Sequence, residues 1–410
     1  MAFPVQRPVP TSENRHSASW GPVDAVMRGG TGEVFPAAVL LVAQNGEVAF
    51  QRAYGWLDPE TARQPTRVES LFDLASLTKI FVVTAFMTLV EAGRVHLDTP
   101  VAQIVPEFGG IRPIVPSEDP LTREWLPPEP AFAGKTVNAN EVTFRHLLTH
   151  TSGLAAWRGL FLKGETNGEI PLPHQLPEKT RRERWASIWN GYGFAYFPGQ
   201  RLVYSDLGLI LLGEAISRLA AMPLEAYLAQ SVWLPLGLEN TGYNPLARGI
   251  APKTIAPTEF CNWRRRRCWG EVHDENAAFL GGISGHAGLF STAADVAMLG
   301  QMYLGLGKAR LLSVEAIGEM TRAQVSRNGT RRGLGWLLPG EDGSSPVGTR
   351  LPRTSYGHTG FTGTSLWIIP ERELVIVLLT NRVYYGRDGT GIADFRQRLH
   401  NAVITAAETQ

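Results

Sequence analysis

Residues 71–93 read LFDLASLTKIFVVTAFMTLVEAG, and what this stretch becomes decides the fold. Within it, Ser76-Leu77-Thr78-Lys79 places a hydroxyl and an amine three positions apart. If the run from Ser76 onward is a helix, the two lie about 60° apart around the axis and about 4.5 Å apart along it, so they share a face. That sets a nucleophile beside a base. The apolar residues Ile80, Phe81, Val82, Val83, Ala85, Phe86, Met87, Leu89 and Val90 go almost all round the helix, the pattern of one buried inside a large protein. Gly93 follows the last periodic residue and stops it.

Working outward, residues 37–43 and 47–54 read as two strands joined at Asn45-Gly46, a dipeptide that favours a tight hairpin turn. A short helix over 23–27 precedes them, behind a polar, Pro-containing arm over 1–19. Beyond the central helix, Leu97-Asp98-Thr99-Pro100 signals a short helix start. The Pro-rich excursion 109–141 reads as a lid or mobile loop. Thr143 caps a helix through Leu148. A second irregular stretch, 155–200, carries Trp157, Trp185, Trp189, Tyr192 and Tyr196. Tyr204-Ser205-Asp206 opens an apolar helix to about Leu219, and another is predicted over 223–234. Residues 245–290 read as irregular, and Ser291-Thr292 with Asp295 starts a helix over 293–304. Strands then return over 334–338, 355–361, 363–369 and 373–380, and an amphipathic helix closes the chain over 392–407. Strands at both ends imply an α/β (α+β) fold: an antiparallel sheet flanked by helices, built from both termini, with an inserted mostly helical region. The expected division is an arm (1–19), an α/β domain (20–80 and 291–410) and a mostly helical domain with long loops (81–290).

The 410 residues carry a formal net charge of +1, which gives no electrostatic reason to expect nucleic acid or an anionic membrane as partner. No apolar run reaches the roughly 18 residues of a membrane span, and MAFPVQRPVPTSENRHSASW lacks the apolar core of a signal peptide, so a cytoplasmic protein is expected. Cys261 and Cys268 are then expected as reduced thiols, and Arg264 to Arg267 between them as a solvated loop.

Two further motifs accompany Ser76 and Lys79. Tyr204-Ser205-Asp206 follows Pro198-Gly199-Gln200, and His358-Thr359-Gly360 lies on a predicted strand before Phe361-Thr362-Gly363-Thr364. In order and spacing the set resembles the serine β-lactamase and penicillin-binding-protein superfamily, recognised by S-x-x-K, Y-x-N and K-T-G or H-x-G. The branch is the one holding class C β-lactamases, a DD-peptidase of the same shape and family VIII carboxylesterases. LLTHTSGL (147–154), PGQRLVYSDLG (198–208), PLGLENTGY (235–243) and HAGLFSTAADV (286–296) are secondary matches, and the resemblance covers roughly residues 20 to 385.

The resemblance implies a serine hydrolase without cofactor, acting on a small-molecule ester, amide or peptide. Ser76 would form an acyl-enzyme, with Lys79 and Tyr204 moving its proton. The backbone N–H groups of Ser76 and Phe361 would hold the oxyanion, and Asp206, His358, Thr359 and Gly360 would line the substrate. An ordinary Lys or Tyr, near pKa 10, is the wrong form for a base at neutral pH, so the site must shift one of them by about 3 units.

Two departures bear on the substrate. Ionised Asp206 stands where the family has Asn; it can only accept hydrogen bonds, and near Lys79 it would favour the charged amine. Capping the following helix is the equally open alternative. His358, neutral at pH 7, stands where a Lys would supply a fixed cation. Both changes weaken a β-lactamase reading and favour a carboxylesterase-like hydrolase, with a D-amino-acid-directed peptidase next. A penicillin-binding or structural paralogue without turnover is the non-enzyme alternative. His273-Asp274-Glu275-Asn276 lacks the companions of a metal motif and is expected to be structural or pocket-lining. His150, Ser152 and His286 read as turn and loop residues outside the mechanism, and there is no G-x-S-x-G elbow.

Overall fold

The computed structural model describes residues 18–119, 122–163, 170–342, 345 and 347–409, so the expected N-terminal arm lies outside the described residues as far as position 17. Its centre is an eight-stranded sheet in the order Val325–Arg327, Thr330–Arg332, Leu337–Leu338, Tyr356–Thr359, Ser365–Ile369, Leu374–Thr380, Ala37–Gln44, Glu47–Gly55. Every pair is antiparallel. The first and last parts of the chain meet in mid-sheet, with Ala38 opposite Thr380 and Gln44 opposite Leu374. This matches the expected sheet from both termini. Asn45 and Gly46 join the first hairpin at φ 52° and 82°, the primed turn their dipeptide favours.

The middle strands read as unbroken apolar runs because both sheet faces are covered. Ala38, Leu40, Val42, Trp367, Ile376 and Leu378 face the helices Gly21–Gly30 and Ile392–Ala407, against Val23, Met27, Phe395, Leu399 and Val403. The alternate residues Val39, Leu41, Leu366, Val377 and Leu379 join a second core that runs without a break into helices Thr78–Glu91, Asp206–Ala220 and Ala293–Tyr303. Among the described residues no single helix is long and apolar enough to cross a membrane.

Several local expectations are corrected. The stretch 155–200 contains the helix Glu178–Trp189, which EKTRRERWASIW hides because only Ile188 and Trp189 are buried and no apolar stripe repeats. The excursion 109–141 is tied down by the ladders Ile111–Pro113 with Thr136–Asn138 and Ser117–Glu118 with Trp125–Leu126. In 245–290, Phe260–Cys261 pairs with Arg266–Arg267, and Glu275–Phe279 forms a short helix. The arginine run is not a solvated loop. Arg264 is buried; it donates to the carbonyls of Val272 (2.6 Å), His273 (3.0 Å) and Asp274 (3.2 Å) and to Cys268 Sγ (2.9 Å). Cys261 and Cys268 are free and buried.

Candidate active site

The nucleophile stands just ahead of the central helix rather than on it. Strand Phe72–Asp73 leads into a 3-10 turn, Ala75–Leu77, and the α-helix proper begins at Thr78. Ala75 is held at φ 46°, a left-handed conformation that costs a non-glycine residue about 1–2 kcal/mol. Asp73 braces it: one carboxylate oxygen accepts the Ala75 N–H at 2.8 Å and the other accepts the His273 N–H at 2.6 Å. Strain at such a turn fixes the direction of the next side chain, Ser76.

Lys79 is 1% exposed, and its ammonium meets three oxygens: Ser76 Oγ at 2.8 Å, the His286 carbonyl at 2.9 Å and Asp206 Oδ1 at 2.8 Å. Three N–H donors meet three acceptors. Burial, the largest influence, pushes the amine down, but the Asp206 carboxylate and then Tyr204 outweigh it, so Lys79 ends above its ordinary value. It therefore donates to Ser76 in the resting site instead of accepting its proton. The capping alternative for Asp206 is excluded by position. Ser205 is the N-cap, its Oγ accepting from Gly208 N at 3.4 Å, while Asp206 sits inside the helix start and turns its carboxylate to Lys79.

Removing that carboxylate should leave burial in control. In Asp206→Asn the Lys79 amine should lose its proton at lower pH, and the alkaline limb of kcat/KM should move to lower pH with it. Superimposable pH–rate profiles for the two proteins would show that the ion pair does not set the state of Lys79.

Tyr204 ends the loop before the same helix, with Lys79 Nζ 4.9 Å from its ring centroid on one approach and the Arg332 guanidinium 5.1 Å away on another. Its hydroxyl is buried and interacts with the Lys79 ammonium. His150, expected to be a mere turn residue, fixes this segment. At φ 57° its carbonyl accepts the Val203 N–H, its Nδ1 accepts the Ser205 N–H at 3.0 Å, and its ring lies 4.6 Å from that of Tyr204. Burial, with the nearby Arg332 and Lys79 charges, holds His150 well below its usual value, so the ring is neutral.

The third motif closes the site from the sheet. His358 on Tyr356–Thr359 is 3% exposed and lies 5.8 Å, ring to ring, from Tyr204. Burial first, then the Arg332 and Lys79 charges, push it far below its ordinary value, so it is neutral as expected. Gly360 has a packing role: a Cβ there would lie 2.1 Å from Thr364 Oγ1 and 2.6 Å from the Leu74 carbonyl. That close approach lets Thr362 Oγ1 donate to the Asp73 carbonyl (2.8 Å) and Thr364 Oγ1 to that of Leu74 (3.0 Å), fastening the turn to the chain just ahead of Ser76. The Phe361 amide within this turn makes no hydrogen bond among the described residues, which leaves it available as the oxyanion donor proposed with Ser76 N–H. Thr359 is half-buried and pairs with Ser365.

His286, also read as a loop residue, supplies the carbonyl that holds Lys79, and its Nε2 meets Asp274 at 2.9 Å. Asp274 caps helix Glu275–Phe279. Although burial works against it, the His286 ring and the Ala277 N–H hold its carboxyl well below the usual carboxylate range. Asp206, Asp274 and His286 bring ligand-type atoms within 4.8 Å of one another, but Asp206 pairs with the Lys79 ammonium, and Asp274 with His286 Nε2 and the Ala277 N–H. The donor set is thus spent on protein groups. His273 bonds Glu259 at 2.9 Å and Asn276 accepts the Leu160 N–H, so both act as braces.

The family model for Beta-lactamase matches residues 23–400. A putative D-alanyl-D-alanine carboxypeptidase of Escherichia coli (strain K12) is 31% identical over 379 residues, spanning 85% of this chain and 79% of the relative. Two solved structures, each 22% identical, share the fold. EstCE1, a hydrolase with promiscuous acyltransferase activity, gives a TM-score of 0.68 over 94% of this chain and 98% of its own. The octameric penicillin-binding protein homologue from Pyrococcus abyssi gives 0.67 over 94% and 77%. A class C beta lactamase from Rhodobacter sphaeroides, 21% identical, gives 0.64 over 94% and 98%. The chain belongs to the Beta-lactamase family, a family of serine hydrolases.

Proposed function

We propose that Ser76 is the nucleophile of a hydrolase that cleaves a small ester or amide through an acyl-enzyme. The observation that carries this reading is the 2.8 Å bond from Lys79 Nζ to Ser76 Oγ, made by an ammonium held in place by Asp206 and the His286 carbonyl. Ser76 Oγ bonds to the substrate carbonyl carbon, the bond to the leaving group breaks, and the serine proton passes to that leaving group. Water then adds to the acyl carbon and restores Ser76. Because Lys79 already carries its proton, its part is to stabilise charge on Ser76 Oγ and to donate. Tyr204, flanked by Lys79 and Arg332, is the relay: its hydroxyl passes its own proton to the leaving group as it takes the one from Ser76. The N–H groups of Ser76 and Phe361 take the developing oxyanion.

A D-amino-acid-directed carboxypeptidase is the second reading, favoured by the naming of the relative at 31% identity. A β-lactamase fits less well, since His358 is neutral where a fixed cation would meet the β-lactam carboxylate. One preparation assayed on p-nitrophenyl short-chain esters, D-Ala-D-Ala peptides and a chromogenic cephalosporin separates the three. The expected result is turnover of the esters together with an acyl mass increment on the peptide carrying Ser76. Absence of both turnover and increment on all three substrates would defeat the proposal.

A further inference from the structure

His273 is buried and touches both halves of the oxyanion site. Its backbone N–H donates to one oxygen of Asp73, and the other oxygen of Asp73 accepts the Ala75 N–H, so the residue ahead of Ser76 is held from His273. Its ring stacks on that of Phe361, with 5.6 Å between centroids and 24° between planes, an offset arrangement that aromatic rings favour. A single residue thus reaches the Ser76 turn with its main chain and the Phe361 turn with its side chain. Both holds are backed. Arg264 donates to the carbonyls of Val272, His273 and Asp274, which fixes the peptide units on either side of His273. The imidazole Nε2 meets Glu259 at 2.9 Å, and the same carboxylate oxygen accepts from Arg387 Nε at 2.7 Å, so the ring cannot turn away from Phe361 without giving up that contact.

An oxyanion donor acts by where it points before the reaction begins, and a small displacement already costs rate. The two donors here come from separate parts of the fold, one leaving strand Phe72–Asp73 and the other following Tyr356–Thr359. Arg396 and Arg382 hold the carbonyls of Gly360 and Phe361 at 3.0 and 2.8 Å, and Thr362 and Thr364 pin the turn further on. Those contacts fix the turn through its main chain and its threonines. The Phe361 side chain is the remaining lever on the donor-bearing residue, and it rests on the His273 ring and on the Arg382 guanidinium, 4.8 Å from its centroid. We propose that His273 is a positioning residue that holds the two oxyanion donors at a fixed mutual spacing, its main chain through Asp73 and its ring through Phe361. This rests on the acyl-enzyme reading of Ser76 and adds the residue that keeps its oxyanion site in register.

Substitution removes only the ring half, because the N–H that meets Asp73 is main chain. His273→Leu should lower kcat on a p-nitrophenyl short-chain ester by about tenfold with KM nearly unchanged, less than the loss of a whole donor. It should weaken an alkylboronic acid by a similar factor, since the tetrahedral adduct on Ser76 places an oxygen at the same two donors. His273→Phe, which keeps a ring against Phe361 and leaves Glu259 with Arg387, should recover most of both losses. A lower melting temperature with kcat and boronate affinity unmoved would make His273 a packing residue and overturn the proposal, as would His273→Phe behaving no better than His273→Leu. Should His273→Leu not fold, Phe361→Leu decides: it should show the same paired losses, and unchanged kcat would refute the role of the stack. Where both fold, His273→Leu should add little in the Phe361→Leu background, and fully additive losses would mean that the two rings act separately. If wild type hydrolyses no ester and the boronic acid leaves Ser76 unmodified, the acyl-enzyme reading fails and takes this one with it.

Discussion

Ser76→Ala is expected to lower kcat/KM for a short-chain p-nitrophenyl ester by about four to six orders of magnitude while the protein stays folded. The magnitude follows from removing the atom that forms the covalent bond, since the remaining donors can only polarise a carbonyl that nothing attacks. Stability should hardly move, because Ser76 is half-buried and Lys79 keeps two of its three acceptors, the His286 carbonyl and Asp206. The check is a pair of measurements on one sample: ester turnover and a thermal melt. Retained turnover with an unchanged melt would remove Ser76 from the mechanism.

The second large effect concerns stability. Asp206→Leu leaves the Lys79 ammonium buried without its carboxylate, and a broken buried pair costs about 3–5 kcal/mol. Lys79→Met should cost less, because the Asp206 carboxylate keeps some exposure and can hydrate. The double variant, with two apolar side chains in contact, should recover most of the loss from Asp206→Leu, although it cannot turn over. Urea unfolding of the four proteins gives the coupling directly. Additive losses would mean that the 2.8 Å pair is not energetically a pair.

Much of this was legible in sequence, and for identifiable reasons. Alternating or unbroken apolar runs marked the strands Ala37–Gln44 and Leu374–Thr380, and Asn45-Gly46 marked the turn between Ala37–Gln44 and Glu47–Gly55. Ser76, Lys79, Tyr204 and His358 were readable because they stand in short motifs with fixed order. The structure gathers them round Tyr204 and Lys79. Helix Glu178–Trp189 was not legible, since an exposed helix has no apolar stripe to betray it. His150 and His286 lay inside stretches already singled out, LLTHTSGL and HAGLFSTAADV, but their work is done by a ring nitrogen and a backbone carbonyl acting across 55 and 207 positions, respectively. Asp73 and Arg332 left no signal at all. A brace on a neighbouring N–H, or a guanidinium set against a tyrosine ring, is a property of three-dimensional surroundings and has no spacing to read.

The mid-sheet seam between the two ends of the chain has a consequence for biosynthesis. Ala37 N–H donates to Asn381 Oδ1, 344 positions away, and the strand Ala37–Gln44 waits for Leu374–Thr380 as its neighbour. At about 5–20 residues per second, tens of seconds separate the emergence of the two from a ribosome. During that interval Ala37–Gln44 presents an apolar edge that its own hairpin covers on one side only. His358 and the Phe361 amide are made in the same late interval, so the nascent chain carries Ser76 without an assembled site. Catalytic competence therefore arrives with closure of the sheet, and slow, long-range pairing of this kind is the step at which chaperones would matter most.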